Sequence, residues 1–442
     1  MCAREAAGSG HAATAELSDM RLLWASHLIP YPPKSGVHQR AFHLLKGVAA
    51  KHDVDLIACV QEPWLRVFYP SREEALDDCA RQLGRLCRSV RFVDIDSMKR
   101  PGGKWRTALE GLLLPQCYTI RWLQSPRSWR AFTEAAQSAS YSLAHFDQLC
   151  LAPFRRLFRG VPATLCHQNI ESHMMLRRAA NEPNPLKRLY FLQEGRRIQR
   201  YEEQIAAGFA AHITCSELDS ARLRAIVPQT NVVAIPNGVD VEYFQPLPRT
   251  GARRSLIFVG SMNWYPNIAA VRFLLSQVWP ALKAAVPDLH LDIVGSAPPP
   301  SLRQLAGAAS DVTMHGYVSD VRPLMSAATL YVCPIRDGGG TKLKLLDAFA
   351  MSKCVVAHPI ACEGIDAIPG RHVVVAESAE SFIERIRHLL QEPHARDEIG
   401  RAARQLVVER YAFDGIAQRL SDLFEALTEP ASRAEDVAAS VE

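Results

Sequence analysis

The segment PIRDGGGTKLKLLDAFAMSKCVVA, residues 334–357, sets three consecutive glycines between an apolar run and a stretch with helical patterning. Glycines let backbone N–H groups approach a ligand closely, and the partial positive charge at a helix N-terminus suits phosphate. The spacing therefore predicts an anion site at Gly339, Gly340 and Thr341. On the helix that follows, Leu343, Leu346 and Ala350 share one face and are expected to pack on a sheet, whereas Lys344 and Asp347, three apart, share another. Lysine can meet a diphosphate and aspartate can accept hydrogen bonds from ribose hydroxyls, so the pair fits a nucleoside diphosphate. An isolated Lys-x-x-Asp is as well explained by an ion pair on an exposed helix; the strand and glycines before it favour the ligand. Arg336 and Lys342 place further positive charge beside the loop.

Two positions in the N-terminal half bear on the same chemistry. Gly36 follows the first apolar run, RLLWAS, in a loop where a side chain would obstruct a ligand; a plain turn glycine is the alternative. His167 ends the apolar run ATLCH, from which it can hydrogen-bond a sugar hydroxyl or an acceptor without being a full general base. Asn169 and Glu171 follow in the same loop, where Glu171 is equally able to cap the next helix. Two D-x-D sequences, Asp53–Asp55 and Asp94–Asp96, resemble metal sites, but residues i and i+2 of a strand merely share a face. Without a His/Asp/Glu cluster, no metal and no resident cofactor is expected.

These residues have to be positioned by regular elements. Apolar runs at 21–26, 54–60, SVRFVDI, FDQLCLA, ATLCH and HITCS alternate with helical patterns, which predicts a parallel sheet covered by helices. The rhythm pauses at 232–254, where Pro236, Gly238, Pro246, Pro248 and Gly251 break regular structure. It resumes with runs at 255–260, 289–295, 311–316, 328–334, 353–357 and 372–376. The fold class is α/β, with two doubly wound, Rossmann-like domains facing a cleft. The expected organisation is a disordered tail at 1–19, an N-terminal acceptor-side domain at 20–235 and a linker at 236–254. A donor domain at 255–410, a helix at 411–428 packing across the hinge and a tail at 429–442 follow. Ligands of open parallel sheets gather at the carboxyl ends of the strands, so the chemistry belongs in the cleft.

The glycine segment resembles the donor-site motif of retaining GT-B glycosyltransferases of the large family four. IPNGVD at 235–240, FVGSMNWYPN at 258–267 and HGYVSDVRPLMSAA at 315–328 are similar to other parts of that family, and HLIPYPPKSGVHQRAFHLL is similar to the opening of transferases associated with bacterial exopolysaccharide clusters. The resemblance implies sugar transfer with retention from a nucleotide-diphosphate sugar to a glycan, lipid-linked or small-molecule acceptor, without a bound metal. It adds Gly260 and Ser261 to the donor-binding residues and gives His167 and Lys344 catalytic roles. There are departures. The E-x7-E carboxylates of the family fall on Gly339 and Asp347, and its GR…K cations fall on Ser261 and Asn267. Replacement charge from Arg336, Lys342 and Lys344 is the expected compensation. A nucleotide-sugar epimerase of the same fold and a non-catalytic sugar-nucleotide-binding subunit are the alternatives. No G-x-G-x-x-G follows the first strand of either half, which argues against a dinucleotide dehydrogenase.

Composition bounds the setting. With 442 residues, 48% hydrophobic and 22% charged, the chain has the balance of a folded globular protein of two domains. Eleven scattered cysteines without a C-x-x-C pair suggest reduced thiols and a cytoplasmic location, and no secretory leader or membrane span is read. Residues 81–130 hold eleven Lys/Arg against three Asp/Glu, a surplus of +8 beside +5 for the whole chain, with Trp105, Trp122 and Trp129 among them. A solvated basic face is one explanation; peripheral contact with an anionic membrane bearing a lipid-linked acceptor is the other. Nucleic acid is not an expected partner.

Overall fold

The computed structural model describes residues 20–95, 117–248 and 254–429. The expected tails up to residue 19 and beyond 429, and part of the expected linker, lie outside the described residues. Seven strands form the first sheet: β1 (Arg21–Ser26), β2 (Asp53–Val60), β3 (Ser89–Asp94), β4 (Leu143–Phe146), β5 (Ala163–His167), β6 (Ala211–Thr214) and β7 (Val232–Ala234). Six form the second: β8 (Ser255–Val259), β9 (His290–Val294), β10 (Val312–Gly316), β11 (Leu330–Cys333), β12 (Val355–Ala357) and β13 (Val374–Val375). Their orders are β3-β2-β1-β4-β5-β6-β7 and β10-β9-β8-β11-β12-β13, and every pairing is parallel. Helices cover the faces, which is why strands such as VDLIACV are apolar on both sides. Among them are α1 (Gly36–Ala49), α2 (Glu171–Asn181), α3 (Pro185–Ile205), α4 (Tyr265–Phe273), α5 (Leu343–Ala350) and α6 (Phe413–Thr428).

One expected strand is displaced. FDQLCLA is not extended: β4 ends at Phe146, and Leu149–Leu157 forms 3-10 turns. The run is apolar because Leu149, Cys150 and Leu151 are buried against the N-terminal core, and burial alone does not distinguish a strand from a short helix. Part of the basic stretch is described. Arg81, Arg88, Arg91 and Arg127 pair with Asp78, Asp53, Glu134 and Asp94, and Trp122 and Trp129 pack on the core. Trp105 and residues 96–116 lie outside the described residues.

The chain crosses between the two cores twice. Residues from Val239 to Tyr411 build the C-terminal core, after which α6 returns and buries Ile416, Ala417, Leu420 and Phe424 with Leu22, Trp24 and Leu45 of the first domain. Phe424 meets Trp24 edge-on at 6.5 Å and His145 at 5.3 Å. At the forward crossing, buried Arg40 of α1 donates to the carbonyls of Ile235 (2.9 Å) and Pro236 (2.7 Å) and to Asn237 Oδ1 (3.0 Å), fixing the IPNG turn where the domains part. No described helix is long and apolar enough to cross a membrane. The ten described cysteines are all unpaired.

Because α6 completes the first core, Phe424→Ala is expected to destabilise that domain by about 3–5 kcal/mol, the usual loss for a buried aromatic. Amide exchange in β1 and β4 should accelerate more than exchange in β9. Equal protection of β1 in variant and parent would show that α6 does not stabilise the N-terminal sheet.

Candidate active site in the interdomain cleft

Each sheet reverses its strand order once, between β1 and β4 and between β8 and β11. Loops diverge at such a point and leave a crevice beyond the carboxyl ends of the strands. In the second domain the crevice is bounded by residues 260–264 after β8 and 334–342 after β11, the glycine loop.

Lys344 projects from the first turn of α5 into this crevice. Its ammonium donates to Asn267 Oδ1 at 2.5 Å, while Asn267 Nδ2 donates to the Ser261 carbonyl at 2.7 Å. The ammonium also sits 5.2 Å from the ring centre of Phe258 and 6.0 Å from that of Trp264. Among the described residues no carboxylate lies within ion-pair distance of it, Asp347 included, so the exposed i,i+3 ion pair does not form. Burial pushes Lys344 down to about 8, against an opposing pull from Cys333 and Asp347. Burial likewise pushes the Asp347 carboxyl up to about 8, with Lys344 opposing, and Asp347 Oδ1 is buried with no hydrogen-bond partner. The two groups form a polar pocket wall whose hydrogen bonds are incomplete.

Backbone proximity explains the glycines around them. A Cβ on Gly260 would stand 2.6 Å from Lys344 Nζ, and one on Gly295 would stand 1.9 Å from the Gly260 carbonyl oxygen. Cβ atoms on Gly339 and Gly340 would meet Asn169 Oδ1 at 2.9 and 2.5 Å, and Gly340 has φ +63°. The glycine loop is thus pressed against the N-terminal domain. Thr341 Oγ1 donates to the Cys215 carbonyl at 3.3 Å. Arg177 of α2 donates to the Gly338 carbonyl at 2.9 Å and holds both oxygens of Glu363, which also accepts from Arg222. Arg177 and Glu363 are invisible as partners in the sequence, being 186 residues apart.

Several expected residues stand elsewhere or act otherwise. Lys342 is buried and its ammonium returns to the carbonyls of Gly339 (2.9 Å) and Gly340 (2.7 Å), so its charge fixes the loop. Arg336 is exposed, lies 3.6 Å over the Phe273 ring and donates to the Glu377 carbonyl, and does not join Lys344. His167 is buried and faces β6. His212 Nε2 must donate to the Ala206 carbonyl (2.9 Å), so His212 Nδ1 accepts from His167 Nε2 at 3.0 Å. Burial and His212 hold His167 well below its ordinary range, and its Nδ1 is buried with no hydrogen-bond partner. Gly36 does face the cleft: a Cβ there would lie 3.4 Å from Leu343 Cδ1. Leu343 consequently looks across the cleft, and Leu345, Leu346, Ala348 and Phe349 form the buried face of α5. The D-x-D carboxylates are engaged by arginines, Asp53 by Arg88, Asp55 by Arg21 and Asp94 by Arg72. No group of three metal-ligating side chains occurs among the described residues.

Two switch-point crevices closing on a glycine loop describe a recognisable architecture. Residues 253–392 match the glycosyl transferases group 1 family. HepE from Anabaena, solved with UDP and glucose, superposes with a TM-score of 0.61 at 13% identity, covering 92% of this chain and 100% of that one. The fold is GT-B, and the C-terminal domain is similar to the glycosyl transferases group 1 family. Two curated proteins are similar in sequence. An uncharacterized 44.6 kDa protein in the cps region of Klebsiella pneumoniae is 24% identical over 86% of this chain and 94% of its own length. Phosphatidyl-myo-inositol mannosyltransferase of Mycolicibacterium smegmatis is 29% identical over 45% of this chain and 53% of its own.

The unmet Asp347 carboxyl has a consequence for stability. Its folded-state pKa of about 8 exceeds the ordinary 3.8, so the folded protein holds a proton that the unfolded chain has lost. The stability this proton contributes is complete below the unfolded value and disappears as pH rises through the folded one. Asp347→Asn should therefore melt progressively higher than the parent as pH is raised from 5 to 8. A constant difference in melting temperature across that range would show that Asp347 is ionised in the ligand-free protein.

Proposed function

We propose that the protein transfers a sugar, with retention, from a nucleoside-diphosphate sugar bound by the second domain to an acceptor presented by the first. The observation that carries this reading is the Lys344 ammonium held at Asn267. The resemblance assigns a phosphate cation to position 267; here the asparagine instead receives the ammonium of Lys344, so the positive charge stands at the same place from a different residue. Asn267 and Ser261 then act as neutral supports, and the missing cations do not imply a dead site. The UDP-bound state of HepE supports a nucleotide-sugar donor, and the cps-region relative supports a role in polysaccharide assembly.

In this reading the diphosphate lies between Lys344 and the glycine loop. The amides of Gly339, Gly340 and Thr341 have no backbone acceptor among the described residues, and the N-terminus of α5 adds its partial positive charge. As the bond from the anomeric carbon to phosphate breaks, its electron pair passes to a phosphate oxygen. Pre-set donors in a half-buried site stabilise that charge without reorganising. The acceptor hydroxyl oxygen bonds the anomeric carbon, and its proton passes to the departing phosphate oxygen. Asp347, with an unpartnered buried oxygen, accepts from the ribose hydroxyls. His167 is given no part, since its Nε2 is committed to His212 and its Nδ1 is buried.

Lys344→Ala is expected to lower kcat by about 10²–10³, the scale of removing one pre-set donor at a developing anion. Turnover should be followed with UDP-, GDP- and ADP-sugars, first ranked by the thermal stabilisation each gives. Parental turnover in a folded variant would remove Lys344 from the reaction. Activity should also persist in EDTA, because Lys344 and the loop amides supply the charge that a metal otherwise provides. Loss in EDTA with rescue by manganese would overturn a metal-independent reading.

A further inference from the structure

Beside the donor crevice a cavity of about 330 Å³ opens between the domains, lined by Met174, Met175 and Arg178 of α2 and by Asn263, Trp264 and Tyr265 at the start of α4. Among the described residues that line it, Arg178 alone is charged. Its guanidinium carbon lies 4.1 Å from the ring centre of Phe191 and 4.6 Å from that of Tyr265, and it makes no hydrogen bond or ion pair among the described residues. The carboxylates within reach in sequence or space are engaged elsewhere. Glu182, four residues on, accepts from the Asn184 amide at 3.1 Å, and Asp337, close enough to act on the Tyr265 hydroxyl, has its Oδ1 on the Gly338 amide at 2.6 Å. Rings hold a guanidinium by its faces and leave its in-plane N–H donors available, a fork that matches a carboxylate. Gly195 builds this fork by letting α3 press on α2, since a Cβ there would stand 2.9 Å from the Leu176 side chain, and Phe191, one turn earlier on α3, is thereby set over Arg178.

One side chain joins this cavity to the donor crevice. The Trp264 ring lines the cavity, and its centre is 6.0 Å from the Lys344 ammonium. The same ring packs on the glycine loop, where a Cβ on Gly338 would stand 3.0 Å from it. Two cations, Lys344 and Arg178, therefore flank a single indole. Between them the glycine loop presents no acidic side chain, position 339 being a glycine where the resemblance places a carboxylate. Opposite Gly339 and Gly340 stands Asn169, a half-buried amide with no hydrogen bond of its own among the described residues and thus free for sugar hydroxyls. A neutral sugar in this space would leave the guanidinium desolvated and unpaired, which costs more than an ordinary hydrogen bond contributes.

We propose that the donor sugar is a uronic acid, its carboxylate held by the Arg178 guanidinium in the cavity while Lys344 holds the diphosphate on the other side of Trp264. A site built around a buried hydrogen-bonding group rejects the analogue that lacks the partner far more strongly than an apolar pocket rejects a missing methylene. Tyr265 comes from the domain opposite α2, so the fork is complete only when the cleft is closed, and a carboxylate in it favours closure. This assignment rests on the nucleotide-sugar reading above and names the class of its sugar.

The test is calorimetry of the full chain with free UDP and GDP and with paired donors, UDP-glucuronic acid against UDP-glucose and GDP-mannuronic acid against GDP-mannose. With the nucleotide that binds, the uronate is expected to bind more tightly than its neutral partner by about ten- to a hundredfold, the scale of a charge-assisted hydrogen bond. Arg178→Ala should lose that preference and Arg178→Lys should keep part of it, while both bind the free nucleotide as the parent does. Equal binding of the paired donors by the parent, or a preference that survives in Arg178→Ala, overturns the assignment. Methyl glucuronoside that binds the parent already loaded with the neutral donor, and does not bind Arg178→Ala, moves the carboxylate to the acceptor and overturns the donor assignment. Failure of both free nucleotides to bind sinks the donor reading of the second domain itself, a result separate from equal binding of the paired donors.

Discussion

A lysine without a carboxylate partner governs the C-terminal half of the cleft. A buried ammonium is costly unless several groups share it, and here Asn267, the Phe258 ring and the Trp264 ring do so together. Gly260 has no side chain because the ammonium passes over it, and Gly295 has none because the Gly260 carbonyl is pressed against it. Asn267 is in turn oriented by the Ser261 carbonyl, and Ser261 Oγ is tied to Asn263 and Ser296. One unneutralised charge thus accounts for the residue types along two loops.

The closure of the cleft depends on a second set of charges. Glu363 receives Arg177 and Arg222 from the opposite domain, both partly buried, and burial alone would raise its carboxyl, yet the two arginines bring it below its ordinary value. Arg177 also binds the Gly338 carbonyl, so the clamp and the anion loop move as one unit. Lys342 holds the loop from within. Rigid placement of the loop amides is what a site needs if it is to meet developing charge without paying for reorganisation at that moment.

The two halves of the protein also share one core. α6 leaves the second domain and fills the first, so the hinge is spanned by the forward segment held by Arg40 and by the return segment after Val239 and Ala412 pair. Two crossings limit the directions in which the domains can separate. The cavity walled by Arg178 and Tyr265 lies on the side where they meet, so its shape depends on the same motion.

The periodicity of apolar runs determined the alternating strands and helices, since a strand buried on both faces has to be apolar throughout. It misplaced FDQLCLA because a buried 3-10 turn carries the same composition. The order strand, glycines, helix determined that a glycine loop at 338–342 leads into α5, because both signals are local. Tertiary structure decided which cations serve it. Arg336, Lys342 and Lys344 are equivalent as sequence neighbours, but one lies on Phe273, one on its own loop and one on Asn267. The ring of His167, at the end of its strand, was assigned to the cleft from position alone, whereas the side chain follows its hydrogen bond to His212 on the adjacent strand. Arg177, Arg222 and Glu363 gave no local signal at all. Their roles arise from contacts between segments far apart in the chain, and such contacts exist only once both sheets are folded and closed on one another.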